Sequence, residues 1–84
     1  MNKRKLLQKA LNRPRNMRFE DMITLVQAFG FCRSRSSGSH YIFTHPDVKE
    51  LVNLQEVDGN AKPYQIQQFL RLVEKYDLEL EADE

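Results

Sequence analysis

Apolar side chains recur at intervals of three and four towards both ends of the chain, and the middle changes to an alternating pattern. Leu6, Leu7, Ala10 and Leu11 fall on one stripe of a helix with Lys and Arg opposite, Asn2 placed to cap it and Pro14 to end it. After the connector Arg15-Asn16-Met17-Arg18, the positions of Phe19, Met22, Ile23, Val26 and Phe29 define a second helix. Glu20 and Asp21 sit in its first turn, where they complement the helix dipole, and Gly30 is its stop signal. A last stripe, Ile66, Phe69, Leu70, Val73 and Tyr76, follows Pro63 at the first helical position. Stripes of this kind form a core.

Between the second and third helices, Phe31 to Arg35 reads as a short strand, Ser36-Ser37-Gly38 as a tight turn, and Ser39 to Thr44 as a second strand ended by His45-Pro46-Asp47. Leu51 to Val57 predicts a third strand and Asp58-Gly59-Asn60-Ala61 a loop. The order is an extra N-terminal helix followed by α-β-β-β-α. That is an α+β domain in which helices cover one face of a three-stranded antiparallel sheet and leave the other face open.

Alternation along the second strand sorts its side chains into Ser39, Tyr41 and Phe43 on one side and His40, Ile42 and Thr44 on the other. Burying Tyr41 and Phe43 removes more apolar surface from water than burying Ile42, and it spares an imidazole from desolvation. His40 is therefore expected on the open face. Arg33 and Arg35, on the far side of the turn, are expected as cross-strand neighbours of Ser39 and His40.

Charge adds a polarity to this plan. The chain carries a net charge of only +1, yet Lys3, Arg4, Lys5, Lys9, Arg13, Arg15 and Arg18 precede the first acid. From Glu74 onward Glu74, Asp77, Glu79, Glu81, Asp83 and Glu84 are opposed only by Lys75. A basic face attracts nucleic acid even near zero net charge. A chain of 84 residues is one small domain that buries roughly 60% of its unfolded surface, so a deep enclosed active site is not expected. Cys32 is the single cysteine, which excludes an internal disulfide and a multi-cysteine metal site and fits a reducing compartment. Apolar runs are short, and the expectation is a cytoplasmic protein without a membrane span.

Histidine side chains exchange protons near neutral pH, which suits attack of an RNA 2′-hydroxyl on its neighbouring phosphate. Around His40, the basic residues Arg33, Arg35 and Lys62 are candidates to hold that phosphate and to stabilise charge developing on it. His45 has the opposite parity and precedes Pro46, so it is expected to be a strand-end residue; Tyr64 and Lys62 are weaker partners for proton transfer. Cys32, His40, His45 and Asp47 lack the paired close spacing of structural zinc sites, and no phosphate-binding glycine loop or nucleophile elbow is present. Neither a metal nor a small-molecule cofactor is expected.

Taken together, Phe19-Glu20-Asp21, Gly30-Phe31, Arg35, Gly38-Ser39-His40, Ile42-Phe43, His45-Pro46 and the final amphipathic helix resemble the HicA toxins of bacterial toxin-antitoxin pairs. The resemblance covers roughly Arg18 to Leu78. It implies a fold like the double-stranded-RNA-binding domain, cleavage of messenger RNA, and a catalytic role for the histidine of the Gly-Ser-His triplet, here His40. It also implies a HicB-type antitoxin that binds the toxin and masks that histidine. The chain then divides into a basic helical extension (1–18), a HicA-like domain (19–78) and an acidic tail (79–84). Many family members carry Pro-Xaa-His on the third strand, where this chain has Asn53-Leu54-Gln55, and a Gly-Thr start to the last helix, where it has Lys62-Pro63-Tyr64-Gln65.

Two functions of different class follow. One is a metal-independent endoribonuclease using His40, with Arg33, Arg35, Ser39 and Lys62 on the RNA. The other is a non-catalytic RNA-binding module of the same fold, gripping backbone by shape and charge. A protein-interaction adaptor acting through Glu79 to Glu84 is a third reading, distinguished by failure to bind RNA at low salt.

Overall fold

The computed structural model describes residues 2–12, 14–38 and 40–81. Helix α1 (Lys3–Asn12) starts where the Asn2 side-chain oxygen accepts the Lys5 backbone N–H at 2.9 Å, and a 3-10 turn at Pro14–Asn16 follows it. Helix α2 (Phe19–Ala28) ends at Gly30, whose φ of +94° turns the chain into the sheet. Strands β1 (Cys32–Ser37), β2 (His40–His45), β3 (Val48–Val57) and β4 (Asn60–Ala61) form an antiparallel sheet in that order. Helix α3 (Pro63–Lys75) closes the domain, with proline at its start.

The α-β-β-β-α order stands, with three differences in the sheet. Strand β1 runs on to Ser37, which pairs with His40, so it takes in two residues of the expected Ser36-Ser37-Gly38 turn, and β2 runs on past Thr44 to His45. Strand β3 begins at Val48 and not Leu51, because Pro46-Asp47 forms a tight turn that lets His45 pair with Val48 at once. Residues 58–61 are no open loop. Asp58 and Gly59 both take positive φ (53° and 80°), the signature of a two-residue hairpin turn, and Asn60-Ala61 return as β4 against Glu56-Val57. The sheet therefore has four strands. Ala61 N–H donates to the Met17 carbonyl at 3.1 Å and Phe19 N–H to that of Gly59 at 3.0 Å, which ties β4 to the start of α2.

Phe31, Phe43 and Phe69 lie at the centre of the core between sheet and helices, with the Phe69 ring edge-on to Phe29 and Phe31 at 5.6 and 5.5 Å. Helix α1 adds Leu6 and Ala10 to the same core. At the edge of β3 left free by the short β4, buried Gln65 of α3 accepts the Gln55 backbone N–H at 2.9 Å, filling the role of a missing strand. Further along, Lys75 and the Tyr76 hydroxyl both donate to the Glu50 carboxylate. These hydrogen bonds, that of Lys75 first, hold the Glu50 carboxyl down at about 2. Among the described residues no helix is long and apolar enough to cross a membrane.

Candidate functional site

Phe43 is fully buried, Tyr41 is half-buried with its ring 5.0 Å from that of Phe19, and His40 is exposed. Apolar surface thus decided the parity of β2, and the helices cover the side opposite His40. Cross-strand partners share a side of the sheet. His40 pairs with Gln55, and Ile42 pairs with Arg35 and Asn53, so these residues converge on the uncovered face. Asn53 reaches His40 directly, its side-chain oxygen 3.4 Å from imidazole Nδ1. The described strand carboxylates lie on the other side: Glu50 is bound to α3, and Glu56 lines a groove of about 320 Å³ beside Phe19 and Tyr41. His40 consequently sits on a face that carries Arg35 and no described strand carboxylate.

The two arginines are separated, contrary to the expected arrangement. Pairing runs Arg33 to Phe43 and then Arg35 to Ile42, so Ser34 is an extra residue and the alternation shifts by one. Arg33 goes with Phe43 to the helix side, its guanidinium 5.3 Å from the Tyr41 ring centroid in the wall of the groove. Arg35 remains with His40 but lies diagonally across from it, and neither arginine is its direct partner. Lys62 stands between Ala61, the last residue of β4 and the partner of Glu56, and the first turn of α3, outside the sheet itself and not paired with the strands that carry His40. Its Nζ lies 5.8 Å from the Tyr64 ring. Ser39 lies outside the described residues.

His45 occupies the helix side, where its ring packs 5.0 Å from Phe31 and its Nδ1 accepts the Asp47 N–H at 3.0 Å. It completes the Pro46-Asp47 turn and is remote in orientation from His40. Among the described residues no group of three or more His, Cys, Asp or Glu is placed to hold a metal ion. The residues that sequence reasoning passed over are Asn53 and Gln55. The signal for them is the alternation Val52, Asn53, Leu54, Gln55, which puts two amides on the polar side of a strand whose other side is buried.

Helix order, sheet topology and a histidine on the uncovered face place the chain in the class of small α+β domains folded like the double-stranded-RNA-binding domain. Residues 19–74 match the family described as HicA toxin of bacterial toxin-antitoxin, and the chain belongs to that family. A comparison with curated proteins finds no match, and neither does one with solved structures. Helix α1 precedes the matched residues.

Proposed function

We propose that the chain is a cytoplasmic endoribonuclease toxin that cuts messenger RNA at His40 and is neutralised by a cognate HicB-type antitoxin. The observation that carries this reading is the setting of His40: exposed, on the face the helices leave bare, with Arg35 on the same face. In the reaction the imidazole takes the proton of a 2′-hydroxyl. The freed oxygen bonds to the adjacent phosphorus, the bond from phosphorus to the 5′-oxygen breaks, and the imidazolium returns its proton to that oxygen. Arg35 and Lys62 offset the phosphate charge, and neither step draws on a metal ion. Ser39 is a further contact for RNA at the hairpin, whereas Arg33, on the other side of the sheet, is not part of that surface.

The test is induced expression of wild type and His40→Ala side by side, scoring growth and transcript integrity, with purified protein incubated with RNA in chelator. Positioned acid-base groups contribute roughly 10²–10⁴-fold, so the variant should lose nearly all cutting and toxicity while its circular dichroism is unchanged. Full toxicity of a folded His40→Ala protein would sink the catalytic role. The second reading, an RNA-binding module without catalysis, draws on the two amides at Asn53 and Gln55, which leave His40 without a second titrating neighbour across the strand. It expects salt-sensitive RNA binding and no cleaved product.

A further inference from the structure

We infer that Asn53 and Gln55 complete the His40 site, Asn53 by holding the imidazole in one tautomer and Gln55 by hydrogen-bonding the RNA phosphate beside it. The inference rests on the reading of His40 as the proton-transfer group and assigns the work around it. An amide oxygen only accepts, so the Asn53 oxygen 3.4 Å from Nδ1 selects the neutral imidazole with its proton on Nδ1. Nε2 then holds the lone pair that a general base needs. Without that contact the two tautomers interconvert freely, and part of the population presents a donor where an acceptor is required.

Gln55 is the direct cross-strand partner of His40, and its neighbours Leu54 and Glu56 belong to the opposite side of the sheet. Directly paired residues bring their side chains within about 5 Å at Cβ, so a phosphate in contact with His40 lies within reach of the Gln55 amide N–H. Among the described residues, pairing places Arg35 from β1 and Asn53 and Gln55 from β3 on the face of His40 around it, and none of these is a carboxylate. Asn53 is a positioning residue, and Gln55 touches substrate.

Both positions are on the sheet surface, so substitutions leave the core intact. Nitrogen-15 spectra of the imidazole at a pH where it is neutral should show the proton on Nδ1 in wild type and a mixture in Asn53→Ala. Cleavage by Asn53→Ala should fall at least tenfold in kcat with KM unchanged. In Asn53→Asp the acceptor is restored, and the pH–rate profile should move to higher pH, because a carboxylate beside an imidazole favours its protonated form. Gln55→Leu should weaken binding of uncleavable 2′-O-methyl RNA at least threefold. A wild-type imidazole protonated on Nε2, or Asn53→Ala cutting at the wild-type rate, overturns the role of Asn53; unchanged RNA affinity of Gln55→Leu overturns that of Gln55. If wild type binds RNA without cutting it, the catalytic reading fails, while the spectra and the binding measurement still decide both assignments.

Discussion

Removing the charge of Arg35 should weaken RNA binding, and removing that of Arg33 should not, although the two residues are separated by a single serine. Arg35 shares the bare face with His40, whereas the extra residue at Ser34 turns Arg33 to the helix side above Tyr41. A guanidinium about 4 Å from a phosphate gains roughly 1 kcal/mol in bulk water and more near a protein surface. Arg35→Gln should therefore lose about fivefold or more in affinity, and its plot of log affinity against log salt should flatten by about 0.7 for one phosphate contact on single-stranded RNA. For Arg33 the sheet intervenes, and a phosphate at His40 lies at or beyond the screening length of about 8 Å at physiological salt. Arg33→Gln should change affinity less than about twofold by the same screening. It loses instead a cation–π contact of about 0.5–1 kcal/mol, which lowers the melting temperature by several degrees in a domain of this size. Fluorescence anisotropy with uncleavable RNA across a salt series, beside thermal melts, separates the two. Equal losses of affinity in the two variants would refute the placement of the bulge.

Phe43→Ala empties the centre of the core and should cost about 3–5 kcal/mol, a large part of the stability of so small a domain, seen as a shift of the urea midpoint. Gly30→Ala meets both a φ of +94° and a Cβ that would lie 3.1 Å from His45 Nε2, so a loss of about 1 kcal/mol or more is expected by chemical denaturation. Glu50 has its carboxyl lowered from 4.5 to about 2, so the stability from its contacts with Lys75 and Tyr76 is whole above pH 4.5 and fades as pH falls towards 2. Glu50→Gln should flatten that acid limb in melts taken from pH 5 to 2, and identical limbs in variant and wild type would contradict it.

Some of the site was legible in the chain and some was not. His40 was assignable to the open face because Tyr41 and Phe43 outweigh Ile42 in apolar surface, a comparison that needs only three neighbouring side chains. The Asp58-Gly59 hairpin carried a recognisable turn signal, but its returning strand is two residues long, too short to alternate visibly. Nothing in Arg33-Ser34-Arg35 marks a bulge, since all three side chains are polar and none is held by the core.

Local periodicity was sufficient for the helices, the order of the main strands and the side from which His40 looks out, because each depends on which nearby residues gain most by leaving water. Register is a different matter. It is set by backbone pairing between segments distant in sequence, and a one-residue slip sends every later side chain to the other face. The parting of Arg33 from Arg35, the fourth strand, and the meeting of His40 with Asn53 and Gln55 all depend on register, and only the folded sheet decides them.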